Sequence, residues 1–263
     1  MRAALFGLAL AVGPAAAHDT WFVPQPPTDR GELVLALGTG TMFPSLELPV
    51  LPQQVATGGC RGEGVNERSL RRAGERSNAL LLRTPRPVPP GVGLSCWVQL
   101  VPIDIEIDDA TVEVYLKEIA APAAVRERWA ALKARGVRWQ ETYVKHARIE
   151  LDGSGGAATS AQPVEGLGLD VRLETSERPL KAGTKARFQV LRDGRPLAGL
   201  AVELRSDLSP IGIWRTTDAE GRVELALPLA ARWILRGTDV RPSEKDRDRW
   251  DSRFVTLAFE VLR

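Results

Sequence analysis

The alternation of apolar and charged residues is most regular between residues 163 and 263. There the apolar positions recur at every second residue in short runs, as they do in strands that bury one face. Asp193-Gly194 is a strong hairpin-turn signal between two such runs. Roughly seven short runs predict an immunoglobulin-like or transthyretin-like β-sandwich. The pattern is carried by Leu169, Val171, Leu173, Ala186, Phe188, Val190, Val223, Leu225, Leu227, Phe254, Val255, Leu257, Phe259 and Val261.

The pattern changes to helical spacing between Asp109 and Arg135, a segment with no glycine and one proline. Pro122 suits the first turn of a second helix, and Gly136 suits its end. Residues 138–151 fit either period, and we predict a helix followed by a strand, so the predicted helices fall near residues 110–147. The two clear helical faces consist of Val112, Tyr115, Leu116 and Ile119, and of Val125, Trp129 and Leu132.

Residues 20–107 contain short β-prone runs that prolines and glycines interrupt. Residues 58–78, rich in Gly, Arg, Glu and Asn, predict a solvated loop. Asp104 and Glu106 alternate with isoleucines, which favours the solvent face of a strand over an acidic site. The small residues of 152–162 predict a linker. The sequence therefore predicts a mainly β protein with two domains: an N-terminal β-rich domain with a helical insertion over residues 18–162, and the C-terminal sandwich over residues 163–263.

The first 17 residues are typical of a secretory signal peptide. Arg2 precedes an apolar run from Leu5 to Val12, and Ala15 and Ala17 occupy the small-residue positions of a cleavage site. The run is shorter than the roughly 20 residues that span a bilayer. We expect cleavage between Ala17 and His18, a periplasmic or secreted mature chain and no membrane span within it.

The two cysteines and the charge pattern are consistent with this compartment. Cys60 and Cys96 predict one disulfide, which would close a loop of about 36 residues and stabilise the fold by about 3–4 kcal/mol on the chain-entropy model. The formal net charge of the chain is +2, and the 35 basic and 33 acidic residues are interspersed along the sequence. An even distribution of charge gives no support to nucleic-acid binding.

The expected cut makes a histidine the first residue of the mature chain. A free α-amine and an imidazole from one residue can chelate a divalent transition metal such as Ni²⁺, Co²⁺ or Cu²⁺. His146 is the only other histidine. We therefore predict a metal site with His18 as the anchor, His146 as a third nitrogen ligand and Asp19 as an oxygen donor or orienting group.

Several phrases of the chain, taken in order, resemble the DUF4198 family of exported bacterial proteins. Some members are associated with nickel or cobalt uptake, so the resemblance implies an accessory role beside a membrane metal transporter. Where it leads us to expect a histidine, this chain has Gly237-Thr238-Asp239, which weakens the metal role or replaces a ligand with a carboxylate. The phrases are His18–Phe22, Phe43-Pro44, Tyr143–Ala147, Leu180–Gly183, Asp193–Gly199, Thr217–Val223, Ala231–Arg236 and Trp250–Val261.

The function that follows is non-enzymatic metal binding or delivery in the periplasm. The alternative is a carbohydrate- or protein-binding β-sandwich module without metal, in which the sandwich loops recognise the partner. Enzyme chemistry has little support, because the chain has no Gly-x-Ser-x-Gly motif and only two histidines to serve as a catalytic base.

Overall fold

The computed structural model describes residues 18–62, 65–153 and 162–263. The predicted signal peptide of residues 1–17 and most of the predicted linker lie outside the described residues. The strands are β1 (Asp19–Gln25), β2 (Val34–Gly40), β3 (Leu48–Pro49), β4 (Val55–Gly62), β5 (Val65–Ser69), β6 (Arg71–Arg76), β7 (Ala79–Arg83), β8 (Leu94–Leu100), β9 (Ile103–Ile107), β10 (Trp139–Leu151), β11 (Leu169–Leu173), β12 (Lys185–Arg192), β13 (Arg195–Pro196), β14 (Ala201–Ser206), β15 (Ser209–Thr216), β16 (Arg222–Ala226), β17 (Ala231–Pro242) and β18 (Trp250–Val261); the helices are α1 (Asp109–Glu118) and α2 (Ala123–Ala134).

The described strands form three sheets. The N-terminal sheet has the order β1-β2-β7-β6, with β3 paired to β2. The central sheet has the order β15-β14-β17-β18-β10-β8-β4-β5, with β9 paired to β10. The C-terminal sheet has the order β11-β12-β13, with β16 paired to β12. The protein is mainly β, as the sequence predicts.

The C-terminal sheet packs on one half of the central sheet as a sandwich. Alternate residues of β11, β12, β14, β16, β17 and β18 point inward and form one apolar core that includes Val171, Phe188 and Phe259. Asp193 and Gly194, at the turn between β12 and β13, have positive φ angles of 49° and 74°. This conformation suits a type I′ hairpin turn, so the predicted sandwich and its turn are confirmed.

The N-terminal sheet covers the other half of the central sheet. Their shared core contains Leu35 and Leu37 of β2 and the disulfide between Cys60 and Cys96, which lie opposite each other on β4 and β8. Both cysteines are fully buried, and the predicted disulfide is confirmed. The bridge therefore joins neighbouring strands inside the core.

The two helices cover one end of the central sheet. The Asp108 side chain accepts a hydrogen bond from the Thr111 amide at 2.9 Å and caps α1. The inward face of α1 and α2 packs on Trp139 of β10 and Trp250 of β18, whose rings stack with centroids 4.6 Å apart. The helical prediction for residues 109–135 is confirmed, with Pro122 just before α2 and Gly136 just after it.

The predicted helix at the start of residues 138–151 is wrong, because the whole of β10 is a strand. Trp139, Tyr143 and Ala147 are spaced by four residues, which places them on one face of a helix but equally on one face of a strand. Strand pairing with β8, β9 and β18 on both sides of β10 decides between the two.

The predicted loop over residues 58–78 is also wrong. Most of its described residues belong to β4, β5 and β6. β6 is an edge strand with exposed arginines, and charged residues on an edge strand discourage pairing with other chains. The polar composition of this segment therefore reflects an exposed edge strand and not a loop.

The central sheet runs through both of the predicted domains. β10, from the N-terminal part, pairs in parallel with β18, from the C-terminal part, from Glu141↔Trp250 to Ile149↔Ala258. The division of the chain into domains at residue 162 stays a prediction. No helix within the described ranges combines the length and the apolar character that a bilayer crossing requires.

Candidate functional site

The two faces of β10 have different surroundings because successive side chains of a strand point in opposite directions. Glu141, Tyr143 and Lys145 share the face toward β1 and the helices. His146 and Arg148 share the opposite face, toward β11 and the segment before it. The predicted ligands on and near β10 are thus divided between two environments.

A groove with a cavity volume of about 340 Å³ lies on the first of these faces. We call it the His18 groove. Its apolar wall includes Ile103, Ile105 and Ile107 of β9 and the Leu48–Val50 segment, and its polar end is formed by His18, Glu141, Tyr143 and Lys145. Small-molecule sites commonly have this combination of an apolar wall, a few polar groups and a volume above about 300 Å³.

His18 immediately precedes β1, which is firmly held in the fold. β1 pairs with β2 along its full length, starting at Asp19↔Gly40. The Trp21 side chain is 2% exposed and packs edge-on against Phe43, with ring centroids 5.8 Å apart. Because β1 and Trp21 are held in this way, His18 is positioned at the rim of the groove.

The His18 ring contacts a carboxylate that is itself held in place. His18 Nε2 lies 3.3 Å from Glu47 Oε2. The other oxygen, Oε1, accepts hydrogen bonds from the Thr41 amide at 2.8 Å and the Thr41 hydroxyl at 2.6 Å. These bonds, with a smaller contribution from His18, lower the pKa of Glu47. The result is a chain of contacts from Thr41 through Glu47 to His18.

Lys145 places an ammonium group at the polar end of the groove. Its Nζ donates a hydrogen bond to the His18 carbonyl at 2.6 Å and lies 5.4 Å and 5.8 Å from the ring centroids of Tyr143 and Phe254. Burial lowers the pKa of Lys145, and the charges of Asp19 and Glu141 oppose that shift.

Glu141 lines the same groove, and its carboxylate already accepts three hydrogen bonds. It accepts hydrogen bonds from Tyr115 at 3.2 Å, from the Trp139 indole at 2.7 Å and from Ser252. Burial raises the pKa of Glu141, and these donors oppose the shift. We infer that Glu141 orders the inner end of the groove.

The Asp19 side chain pairs with an arginine and does not join His18. Its carboxylate Oδ2 lies 2.7 Å from Arg236 Nη1, and Arg236 also binds Glu203 at 2.6 Å. Asp19 thus joins β1 to the C-terminal part of the central sheet. Asp239, the carboxylate at the departure from the family pattern, similarly forms ion pairs with Arg192 and Arg241.

The structure does not bring His146 and His18 together. His146 is 2% exposed on the far face of β10, where Nδ1 donates to the Phe254 carbonyl at 2.9 Å. Nε2 accepts from the Leu169 amide at 3.3 Å and lies 3.1 Å from Gln99 Oε1. Burial lowers the pKa of His146 to about 4. Through these bonds the two ring nitrogens hold β18 and β11 against β10.

Within the described parts of the chain, no group of three or more His, Cys, Asp or Glu side chains is arranged to hold a metal ion. Any metal site at His18 must therefore use backbone or exogenous donors together with the side chains. The α-amine that the predicted cleavage creates is such a donor.

Sequence reasoning missed Glu47 and Lys145. The sequence contains a clue to Lys145: it stands two residues after Tyr143, so in a strand the two side chains lie on the same face. Glu47 carried none, since a single acidic residue in a proline-flanked segment does not indicate which side chain it will face.

The fold and the groove define a mainly β, disulfide-bonded protein with a small-molecule-sized cleft at the start of its first described strand. A family model described as a domain of unknown function, DUF4198, matches residues 107–238. The chain therefore belongs to the DUF4198 family. The matched region includes β10 but neither His18 nor β18, and no nickel or cobalt association comes with it.

No curated protein matches the chain. Similar solved structures include a two fibronectin type III domain segment from chicken tenascin, at 10% identity and a TM-score of 0.22, covering 82% of this chain and 86% of that one. Another is the chicken CNTN1 FN1-FN3 domains, at 8% identity and a TM-score of 0.20, covering 91% of this chain and 65% of that one.

Proposed function

We propose that the chain is an exported, non-enzymatic protein that binds a divalent transition metal through His18 and delivers it to a membrane metal transporter. The α-amine of the cleaved chain and Nδ1 of the ring form the chelate. Ni²⁺, Co²⁺ and Cu²⁺ are the expected metals, because nitrogen donors suit them and affinity rises toward copper.

The Thr41–Glu47–His18 chain of contacts carries this proposal. Histidines that bind metals commonly donate their other ring N–H to a carboxylate, which fixes the tautomer and the ring orientation. Here Glu47 lies beside Nε2, and Thr41 fixes Glu47. A ring oriented in this way can bind the metal through Nδ1.

The chemistry of the α-amine supports the same site. Its pKa near 8 is far below that of a lysine, so proton competition is modest at neutral pH. His146 and Asp19 are outside this donor set because their polar atoms bind Phe254, Leu169 and Arg236. The remaining coordination positions are left to water, to backbone or to the receiving transporter.

Calorimetric titration of Ni²⁺, Co²⁺ and Cu²⁺ tests the proposal. The protein that begins at His18 should bind one equivalent, and a matched protein with one additional N-terminal residue should bind at least tenfold more weakly, because the extra residue removes the free amine. Equal, weak binding by both would overturn the proposal and favour a module without metal.

A carboxylate variant isolates the orienting contact. Glu47→Gln in the His18-terminated protein should weaken the metal about tenfold or more, the range that loss of such a partner produces. Glu75→Gln, at an exposed carboxylate on β6 paired with Arg72, is the matched control and should leave affinity unchanged. An unchanged affinity for Glu47→Gln would remove Glu47 from the site.

A further inference from the structure

We propose that the His18 groove binds a small aliphatic carboxylate, with the carboxylate on Lys145 and the hydrocarbon chain along the isoleucines of β9. This inference goes beyond the metal site and does not depend on it. It rests on the charge left at the polar end of a largely apolar groove.

The Lys145 ammonium lacks a carboxylate partner within the described part of the chain. Its one hydrogen-bond acceptor there is the His18 carbonyl, so two of its three N–H donors remain for a ligand. Contacts with the Tyr143 and Phe254 rings stabilise the charge but do not neutralise it. A half-buried ammonium in such surroundings is stabilised by an incoming anion.

The neighbouring carboxylates are held by other partners and form no ion pair with Lys145, so their charges act on it only from a distance. Asp19 is held by Arg236, and Glu141 accepts from Tyr115, Trp139 and Ser252. A carboxylate in direct contact with the Lys145 ammonium would therefore come from a ligand. This charge complementarity identifies the head group of the ligand.

The wall of the groove identifies the rest of the ligand. Ile103, Ile105 and Ile107 are half-buried on one face of β9 and line the groove, while Asp104 and Glu106 between them face solvent. Burial of aliphatic carbons against such a wall is favourable by about 25 cal/mol per Å² of apolar surface. A ligand with an apolar chain beyond its carboxylate matches both ends of the groove.

Octanoate is a suitable probe, titrated by calorimetry into metal-free protein kept in EDTA. Octylamine and octanol, which have the same chain and no carboxylate, are the comparison ligands. We expect saturable binding of octanoate, at least tenfold weaker binding of octanol and no binding of octylamine. Equal binding of octanoate and octanol, or no octanoate binding at millimolar concentration, would overturn the proposal.

Two variants test the two ends of the groove. Lys145→Met, which keeps the length of the side chain, should weaken octanoate at least tenfold and leave octanol unchanged, whereas Lys145→Arg should retain most of the affinity. Ile105→Trp should weaken both ligands by filling the groove. Lys185→Met, at an exposed lysine of β12, is the matched control and should change neither. Octanoate affinity that survives Lys145→Met would contradict the assignment.

The outcome is separable from that of the metal site. The octanoate titration is repeated on the protein with one additional N-terminal residue, still in EDTA, and we expect the same affinity within about twofold. Loss of metal binding with intact octanoate binding overturns only the metal proposal, and the reverse result overturns only this one.

Discussion

Both faces of β10 bury polar side chains. Only on the near face, at the His18 groove, does such a side chain keep unused hydrogen-bond donors. On the far face, Arg148 is 1% exposed and binds Asp170, Glu150 and Ser95 at 2.8–3.0 Å. On the near face, Lys145 meets one carbonyl and two aromatic rings. Satisfied polar groups serve the fold, whereas a partly satisfied one at a cavity indicates a ligand.

The largest expected effect is on the far face. Arg148→Met should lower the free energy of unfolding by about 3–5 kcal/mol, because it removes the cation that pairs with the buried Asp170 carboxylate and leaves Glu150 with the more distant Arg178, at 3.8 Å. Urea denaturation at pH 7 measures this. Arg138→Met, which removes a 77% exposed arginine from its ion pair with Glu106, is the matched control and should cause no measurable shift. Similar losses for both would remove the distinction between buried and exposed pairs.

The next effect is the pH dependence that His146 introduces. Its pKa is lowered from 6.5 to about 4 in the folded protein, so between those pH values the unfolded chain binds a proton that the folded one does not. Stability should therefore fall as pH falls through this window, by about 3 kcal/mol in total. Arg253, Asp170 and Asp193 also influence this histidine.

Denaturation curves at several pH values measure the contribution of His146. In His146→Gln this component of the pH dependence should be absent, and the remaining dependence comes from the acidic residues. An identical loss of stability in the variant and the unchanged protein would show that folding does not shift the pKa of His146.

The smallest effect is expected on the near face. Lys145→Met should leave the free energy of unfolding unchanged or raise it by up to about 1 kcal/mol, since it replaces a desolvated ammonium with an apolar chain of similar length. The same denaturation experiment measures it. A loss as large as that of Arg148→Met would mean that Lys145 serves the fold, and the comparison between the faces would fail.

The sequence predicts those parts of the fold in which a single period of apolar residues decides the structure. Alternation along Leu169, Val171 and Leu173 fits a strand only, and the spacing of Val125, Trp129 and Leu132 by four and then three residues fits a helix only; both are confirmed. Residues at spacings of four, such as Trp139 and Tyr143, fit two structures. Only the strands on either side of β10 settle the choice, and these lie far away in the chain.

The candidate site was less accessible to prediction. His18 is conspicuous in the sequence because it follows a predicted cleavage site, but its contact with Glu47 depends on the path of the chain after β2, through residues 41–47. His146 is conspicuous by its rarity and proves to be a residue of the interior. Lys145, its neighbour, is ordinary in composition and is set apart only by the face of the strand on which it lies.

The position of β18 between β10 and β17 sets the order in which the protein can be completed. β18 follows every other described strand in the chain, yet it pairs with β10 along Glu141–Ile149 and with β17 along Ala231–Pro242. During synthesis, which proceeds from the N-terminus, one edge of β10 therefore stays unpaired until residues 250–261 have been added. Such an open edge invites pairing with other chains. A holdase that binds extended segments would thus protect the nascent protein longest at β10.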